Sequence, residues 1–255
     1  MSDTVKDMDN LLIKKRGYVS KMPENKRAVM IVSGGLDSII TSARLIEDYD
    51  LELFPLHVDR GQRNRLAEQA SVDYYDEYMS KRYGEGKYHK TVTINVNVPP
   101  VEFKNDLTTY MATKGHPARD SIMLLLGVEY AVAVSEKTGI PVKTVFSANV
   151  FDDPFPHCTL DSLRADTINA CVNLGDWGWL LTSPNADPYL TESQFGKVEE
   201  IKWADEHSFP MEKTASCYEI SKDGSAVACG ECKACVRRKE AFKLAGVTDL
   251  TNYQK

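Results

Sequence analysis

The chain alternates short apolar runs with longer segments in which apolar residues recur every three to four positions. The short runs predict buried strands, and the longer segments predict amphipathic helices that turn one face toward a core. The predicted strands cover residues 28–32, 51–58, 90–98, 142–148 and about 179–183. The predicted helices cover residues 39–46, 64–82, 120–138, 160–174 and about 192–206.

Strands that alternate with helices form βαβ units, which predicts an α/β fold with a largely parallel, Rossmann-like sheet. Ligands of such sheets bind beyond the carboxyl ends of the strands. Three segments directly follow predicted strands, at residues 33–38, 59–63 and 149–158. We therefore expect these three segments to converge on one site.

The two ends of the chain differ in composition from this central region. Residues 1–27 are mostly polar and charged, with one short apolar cluster that would suit a short helix. Four of the six cysteines lie within residues 217–235. We therefore divide the chain into an N-terminal extension (1–27), an α/β domain (28–208) and a small zinc-binding C-terminal lobe (209–255).

Composition and charge narrow the class of protein. Hydrophobic residues make up 42% and charged residues 27% of the 255 residues, which suffices for a full core. The net charge of −6 disfavours nucleic acid as a direct partner. No apolar run approaches the roughly 18 to 20 residues of a membrane span, and the N-terminal segment lacks the apolar core of a signal peptide. We therefore expect a cytoplasmic protein with reduced cysteines.

The most informative segment is the strand–turn–helix transition at residues 33–38, with the sequence Ser-Gly-Gly-Leu-Asp-Ser. Two glycines let the backbone approach a ligand closely, and the helix that follows presents N–H groups and a positive dipole end. Ser33 and Ser38 add hydroxyl donors for phosphate oxygens. Asp37 suits such a site if a Mg²⁺ ion bridges it to the phosphate. The segment predicts a phosphate-binding loop; a serine-capped turn without a ligand is the alternative.

The C-terminal cysteines have the spacing of a metal site: Cys217, Cys229, Cys232 and Cys235. Four thiolates can complete a tetrahedral Zn²⁺ site with no open coordination position, so the predicted zinc is structural. An iron–sulfur cluster and buried, unliganded cysteines are the alternatives. The lobe also carries four basic residues that are either solvated or in contact with phosphate: Lys233, Arg237, Arg238 and Lys239.

Together, these motifs resemble those of the 7-cyano-7-deazaguanine synthases, a family of PP-loop ATP pyrophosphatases. The resemblance rests on the 33–38 loop, on Asp-Arg-Gly-Gln-Arg at 59–63 and on the four cysteines, in this order. It extends to Pro-Ala-Arg-Asp at 117–120 and Ser-Ala-Asn-Val at 147–150, and it covers about residues 28–247. It implies a fold of the adenine nucleotide α-hydrolase type, with ATP, Mg²⁺ and Zn²⁺ as cofactors.

The resemblance also implies an activity. Family members adenylate 7-carboxy-7-deazaguanine, let ammonia convert the adenylate to an amide, and dehydrate the amide to a nitrile in a second ATP-dependent step. They act in the pathway to queuosine and archaeosine, and they commonly pair as homodimers.

Residue roles follow from the same resemblance. ATP contacts fall on Ser33, Gly34, Gly35, Leu36, Asp37, Ser38, His57, Asp59, Arg60, Gln62 and Arg63. Substrate contacts fall on Arg119, Asn149, Asp152, Asp153 and His157, and catalytic roles on Asp37, Ser38 and Arg119. A guanidinium such as that of Arg119 binds carboxylate or phosphate bidentately, and an aspartate can accept the paired N–H donors of a guanine-like ring.

The chain departs from the family pattern mainly at substrate-facing positions. Arg60 stands where the family usually has an aromatic residue, and Asn64 where it usually has a histidine. Asp120 replaces an asparagine, and His157 replaces an aspartate. These departures leave open another amine as acceptor, such as the N-terminus of a partner protein in an antiviral defence system. A non-catalytic nucleotide-sensing scaffold is the second alternative.

Two residues of the 149–158 segment allow competing interpretations. His157 is either a general base for the incoming amine or a loop histidine that hydrogen-bonds its neighbours. Cys158 either forms a covalent intermediate or packs in the core, as buried cysteines commonly do. A tRNA thiolase of the same superfamily is disfavoured by the acidic charge balance.

Overall fold

The computed structural model describes residues 2–153, 155–191, 194–219 and 227–254. Its strands are β1 (Arg27–Ile31), β2 (Glu52–Asp59), β3 (Val92–Asn95), β4 (Thr144–Phe146) and β5 (Leu180–Thr182). They form a five-stranded sheet with the order β3-β2-β1-β4-β5, in which every neighbouring pair is parallel. The chain reverses its direction of travel across the sheet between β1 and β4, which is where open α/β sheets bind ligands. The predicted α/β, Rossmann-like fold class is confirmed.

Helices surround this sheet. They are α1 (Asp3–Arg16), α2 (Leu36–Glu47), α3 (Arg65–Tyr83), α4 (Thr108–Lys114), α5 (Arg119–Thr138), α6 (Leu160–Leu174), α7 (Lys197–Glu206) and α8 (Lys233–Ala245). A single 3₁₀ turn, Pro156–Cys158, precedes α6. Within the described part of the chain, no helix combines the length and the apolar character needed to cross a bilayer.

Side chains that alternate along the strands build a core on each face of the sheet. Met30 of β1 packs in one core with Ile39 of α2, and both are fully buried. The neighbouring Val29 lies in the other core with Leu124 of α5 and Leu163 of α6. Full burial of side chains of this size stabilises the fold by about 1.5–3 kcal/mol each. Helices cover both faces, so the carboxyl edge of the sheet is left for a ligand.

Three elements differ from the sequence-based expectation. One is α8 (Lys233–Ala245), since no helix is predicted in the cysteine lobe. No element is predicted in residues 99–118, yet the structure places α4 there. Most of the described side chains of α4 are exposed, so this short helix shows no apolar stripe that a pattern could reveal. The helix predicted from about residue 192 begins at Lys197. Residues 192 and 193 lie outside the described residues.

Helix α1, within the N-terminal extension, packs against α6. Val5 and Leu12 of α1 are buried. Arg164 of α6 is fully buried and donates from Nε to Asp9 of α1 at 2.7 Å, and from its two Nη atoms to the carboxylate of Asp187 at 2.6 and 2.8 Å. Burial raises the pKa of Asp187, but the hydrogen bonds and charge of Arg164 outweigh it and lower that pKa. A water-shielded charge network therefore holds α1 to the α/β domain.

We expect Arg164→Leu to lower the free energy of unfolding by about 3–5 kcal/mol, because it leaves Asp9 and Asp187 buried without a counter-charge. Lys143→Met is the matched control, since it removes a cation whose ion pair with Asp176 has side chains 43% and 38% exposed. That change should cost about 0–1 kcal/mol. Urea unfolding followed by circular dichroism measures both, and equally small losses would contradict a stabilising role for the network.

Candidate active site

A cavity of about 690 Å³ opens at the carboxyl ends of β1, β2 and β4. Residues that follow these strands line it, among them Ser33, Arg60 and Asn149. Among the described residues, seven Lys or Arg and four Asp or Glu residues line the cavity, although the net charge of the chain is −6. Positive charge is therefore concentrated here, and the cavity suits a ligand with several negative charges.

The loop at residues 33–38 is ordered by its own serines. Oγ of Ser38 accepts a hydrogen bond from Ser33 N at 3.1 Å and donates to the Gly35 carbonyl at 3.1 Å. Gly35 is the N-cap of α2 and offers no side-chain cap, so the first N–H groups of the helix are left for a ligand. The loop residues that line the cavity are Ser33, Gly35, Leu36, Asp37 and Ser38.

Gly34 belongs to the same loop but does not line the cavity; its backbone contacts hold the loop in place. Its φ is +72°, in the left-handed region. Its carbonyl accepts from Ser71 Oγ at 2.7 Å and from Ala215 N at 2.8 Å. A Cβ at this position would lie 2.6 Å from the carbonyl oxygen of Glu68. Glycine is thus required here, and its carbonyl joins the loop to α3 and to the segment that leads into the cysteines.

Asp37 forms an ion pair with Lys197, the first residue of α7. Burial raises the pKa of Asp37, but Lys197 outweighs burial and the pKa is lowered. Behind this pair, Glu200 is fully buried and accepts from Thr41 Oγ1 at 2.9 Å and from Asn185 Nδ2 at 2.8 Å. Burial and the charge of Asp37 raise the pKa of Glu200 well above its ordinary value. Asp37 is therefore the charged carboxylate of the two.

Three residues of β2 and its following turn line the cavity, His57, Val58 and Arg60, and the first and last of them have assigned ATP contacts. His57 Nδ1 lies 2.9 Å from the Val32 carbonyl and donates to it, which leaves Nε2 as a buried acceptor without a partner in the described ranges. Gln62 Oε1 accepts from Arg60 N at 2.7 Å, and Gln62 Nε2 donates to Glu68. Gln62 therefore braces the Arg60 backbone and lies outside the cavity lining.

The other two residues of this turn with assigned ATP contacts, Asp59 and Arg63, are not among the residues that line the cavity. Asp59 accepts from Gly61 N at 2.8 Å and lies 3.9 Å from Arg65. The side chain of Arg63 is 78% exposed and contacts Glu219 at 3.3 Å. Their roles as ATP contacts stay predictions.

Arg119, at the start of α5, lies between Asp120 and His157. Its Nε donates to Asp120 Oδ1 at 2.7 Å, and its Nη2 donates to His157 Nε2 at 3.2 Å. Cys158 donates to the other oxygen of Asp120 at 3.3 Å. Asp120, His157 and Cys158 hold ligand-type atoms within 4.8 Å of one another, but the guanidinium already occupies two of the three residues. Burial and the neighbouring Asp120 raise the pKa of Cys158, which disfavours a thiolate nucleophile.

The segment after β4 contributes two of its four assigned residues to the cavity, and His157 is not among the lining residues. Asn149 lines it, and its Nδ2 is buried without a hydrogen-bond partner in the described part of the chain. Asp153 also lines it and accepts from Phe155 N at 3.2 Å. Asp152 is exposed and lies outside the lining. Asn149 therefore offers a ligand a donor, and Asp153 offers an acceptor.

The four C-terminal cysteines cluster with all Sγ atoms within 4.8 Å of one another. Sγ of Cys217 lies 4.0 Å from that of Cys232, and Sγ of Cys229 lies 3.9 Å from that of Cys235. Metal–sulfur bonds near 2.3 Å in a tetrahedron separate the sulfurs by about 3.8 Å. A cubane cluster places each cysteine on a different iron and needs wider spacing. The four sulfurs therefore fit one tetrahedral metal ion.

Comparison with known proteins decides the family. The sequence model of the family described as "Queuosine biosynthesis protein QueC" matches residues 27–246. The chain belongs to the QueC family. This confirms the resemblance to the 7-cyano-7-deazaguanine synthases on which the sequence analysis relied, and with it the expectation of an enzyme.

The similar proteins are distant in sequence but match along nearly their whole length. The 7-cyano-7-deazaguanine synthase of Acetivibrio thermocellus is 32% identical over 237 residues, covering 90% of this chain and 99% of that protein. The synthase of Methanothermobacter thermautotrophicus is 27% identical over 243 residues, covering 90% of this chain and 100% of that protein. The chain is therefore a divergent member of the QueC family.

A solved structure is also similar in shape. The U34-tRNA thiolase NcsA from Methanococcus maripaludis, with its [4Fe-4S] cluster, is 14% identical and covers 95% of this chain and 75% of that chain, with a TM-score of 0.43. A likeness at this level bears neither on the reaction nor on the metal of the QueC-family chain.

The QueC-family match includes part of the cysteine lobe, and this lobe contributes to the cavity. Lys233 and Arg237 of α8 line it. Arg238 also reaches the cavity wall, but its side chain is buried and its guanidinium donates to groups within the protein. Lys239 donates to the Gly230 carbonyl at 3.0 Å and lies outside the lining. Two of the four basic residues, Lys233 and Arg237, therefore line the cavity without an ion pair among the described residues.

Sequence analysis missed Lys197 as a cavity residue. A lysine in the first turn of a helix opposes the helix dipole, and such placement is a signal of another partner. The predicted start of this helix, near residue 192, placed Lys197 in its second turn and hid that signal. Glu68 and Lys114 also line the cavity. Each stands in a polar stretch of sequence, where nothing distinguishes it from the polar residues around it.

We expect the purified chain to carry one metal ion per molecule and Cys232→Ser to lose it, because three thiolates cannot close the tetrahedral shell. Cys171→Ser is the matched control, since Cys171 is a buried cysteine that donates to the Trp179 carbonyl at 3.5 Å. Plasma mass spectrometry of protein purified without added metal measures both. A metal-free wild type, or full occupancy in Cys232→Ser, would exclude the site.

Proposed function

We propose that this QueC-family chain adenylates 7-carboxy-7-deazaguanine with ATP and aminates it to 7-cyano-7-deazaguanine, in a queuosine- or archaeosine-type pathway. The observation that carries the proposal is the 33–38 loop, which includes the Asp37 that pairs with Lys197 and which opens into a cavity whose charged lining residues are mostly Lys and Arg. The similar curated proteins bear the name 7-cyano-7-deazaguanine synthase, which supports the same substrate.

The triphosphate of ATP would lie on the loop and the N-terminus of α2, whose N–H groups are directed toward the anion. Lys197, Lys233 and Arg237 would neutralise its negative charge. Asp37, the charged carboxylate at the loop, would hold Mg²⁺, which supplies further neutralisation as pyrophosphate departs. The same residues would stabilise charge that develops on the bridging oxygen between the α- and β-phosphates.

Arg119 would bind the carboxylate of the second substrate. In the described residues no hydrogen bond occupies its Nη1, and Arg119 is one of the residues that line the cavity. A guanidinium matches a carboxylate in geometry and charge. Asn149 and Asp153 would then contact the ring, since an amide N–H suits a ring carbonyl and a carboxylate suits ring N–H donors.

The reaction follows from this placement. A carboxylate oxygen attacks the α-phosphorus, the bond to the β-phosphate oxygen breaks, and pyrophosphate leaves. Ammonia then attacks the acyl carbon, and AMP leaves with the oxygen that it gained. A second ATP adenylates the amide oxygen in the same way, and loss of AMP and two protons gives the nitrile. Positioning and electrostatic stabilisation supply the rate enhancement, because no covalent bond to the protein is needed.

We assign zinc to the four-cysteine site, where Cys217, Cys229, Cys232 and Cys235 would hold it. Four thiolates at tetrahedral spacing are the ligand set of structural zinc, and they leave no position for a substrate. The ion would stabilise the lobe that carries Lys233 and Arg237.

Incubation with 7-carboxy-7-deazaguanine, ATP, Mg²⁺ and ammonium, with products followed by mass spectrometry, tests the proposal. We expect the amide first and then the nitrile, with two AMP formed per nitrile. Replacing ammonium with a peptide amine tests the alternative acceptor, which would give a conjugate and no nitrile. Formation of ADP and phosphate, or a rate of AMP release that does not depend on the carboxylate substrate, would contradict the proposal.

We expect Asp37→Asn to lower the rate of carboxylate-dependent pyrophosphate release by about 100-fold or more, because a neutral amide neither holds Mg²⁺ nor pairs with Lys197. Asp73→Asn is the control, since Asp73 is an exposed residue of α3 that accepts from Gln69 at 2.8 Å. A coupled pyrophosphate assay compares the two variants. Similar rates of pyrophosphate release in the two variants would exclude a role of Asp37 in the reaction.

A further inference from the structure

The guanidinium of Arg119 is held on two sides before any ligand binds. Asp120 accepts from its Nε at 2.7 Å and His157 accepts from its Nη2 at 3.2 Å, and the two partners come from different elements. A guanidinium carries five N–H donors, and these two contacts leave Nη1 without a hydrogen bond among the described residues, while Arg119 lines the cavity. We propose that Asp120 and His157 are positioning residues that aim Arg119 at the substrate carboxylate, and that His157 does so only as the neutral imidazole.

The tautomer of His157 follows from the chemistry of its partner. A guanidinium only donates hydrogen bonds, so His157 Nε2 must be unprotonated to accept from Arg119. The ring proton of the neutral imidazole then lies on Nδ1. Protonation of Nε2 would remove the acceptor and place a second positive charge against the guanidinium. Asp120 and His157 can therefore hold Arg119 together only when His157 is neutral.

The ring of His157 is confined on two sides, as a positioning role requires. Phe155 stacks on it with ring centroids 5.5 Å apart and planes 7° apart. Gly115 lies close to it, because a Cβ at Gly115 would come within 2.7 Å of His157 Cε1. Gly115 has a φ of +73°, a conformation that favours glycine. The ring thus has little freedom to turn away from Arg119.

The charged groups around His157 favour its neutral form. Burial lowers the pKa of His157 first, and the positive charge of Arg119 lowers it further. Asp120 and Asp153 act in the opposite direction, but the balance keeps the pKa below the ordinary histidine value. His116, on the segment before α5, also faces His157, and burial lowers its pKa as well. Both rings are therefore neutral at and above neutral pH.

This role differs from the two alternatives for His157. A general base needs a free lone pair, and Arg119 occupies the one on Nε2. A metal ion bound by Asp120, His157 and Cys158 would have to displace the guanidinium of Arg119 from both of its partners. The positioning role requires neither change. It rests on the proposed function only for the identity of the carboxylate.

The first test needs no substrate. In protein labelled with ¹⁵N-histidine, His157→Gln assigns the signal of His157 among the five histidines. We expect the proton on Nδ1 and a pKa below 6.5. Arg119→Met should raise that pKa, since it removes the adjacent positive charge and leaves Asp120 in place. A proton on Nε2, or an unchanged titration in Arg119→Met, would overturn the inference whatever the substrate is.

The second test separates positioning from folding. In wild type, the KM for the carboxylate should rise as pH falls through the pKa of His157, because the protonated ring releases Arg119. His157→Ala should raise that KM about tenfold at neutral pH and leave the KM for ATP within about twofold. His157→Gln presents an amide oxygen at a similar distance from the backbone. It should therefore restore most of the affinity for the carboxylate, and its KM for the carboxylate should no longer rise at low pH.

His89→Gln is the matched control for the second test. His89 contacts Glu52 at 2.8 Å and stacks on Phe54, and it does not line the cavity. It should keep the wild-type acid rise. Equal KM values and pH profiles for wild type and His157→Ala would overturn the inference. If the wild-type protein showed no carboxylate-dependent pyrophosphate release, the proposed function would be refuted. The histidine titration would still test whether His157 holds Arg119 as the neutral imidazole.

Discussion

The geometry of the site depends on one carbonyl group, that of Gly34. It accepts from Ser71 of α3 and from the backbone of Ala215, while the left-handed backbone of Gly34 keeps the loop close to both. Ala215 lies two residues before Cys217, so the same contact ties the phosphate loop to the cysteine lobe. The lobe therefore supports the 33–38 loop, and the cysteine cluster and this loop belong to one structural unit.

Charge is arranged around this loop so that the acidic groups are compensated within the protein. Asp37 is paired with Lys197, and burial and the charge of Asp37 raise the pKa of Glu200 behind it. Asp120 is paired with Arg119. The remaining positive charge is available to an incoming anion, which explains how an acidic chain presents a cationic cavity. The arrangement also avoids the cost of an uncompensated buried charge.

Local signals in the sequence suffice for the fold class, for the strand–turn–helix geometry at residues 33–38 and for the clustering of the four cysteines. The Gly-Gly turn between a strand and a helix and the cysteine spacing both encode their geometry in a few adjacent residues. Side-chain direction in a turn is not encoded in this way. Arg60 lines the cavity while Arg63 is solvent-exposed, although the two stand in the same short motif.

Long-range contacts are the other part that sequence patterns do not reveal. Asp9 and Arg164 are 155 residues apart, and their pairing, which fixes α1 to the domain, leaves no periodic signal. Lys197 reaches the site from a helix whose beginning the apolar pattern misplaces. His157 was assigned to the substrate, and the structure places its ring against Arg119, a contact that only the folded loop creates.

The most direct measurement follows the oxygen of the carboxylate. When 7-carboxy-7-deazaguanine carries ¹⁸O in both carboxylate oxygens, the account predicts that each AMP formed on the way to the nitrile carries one ¹⁸O and that pyrophosphate carries none. Mass spectrometry of the separated nucleotides gives both values. Unlabelled AMP alongside product formation, or label in phosphate released with ADP, would contradict attack of the carboxylate on the α-phosphorus.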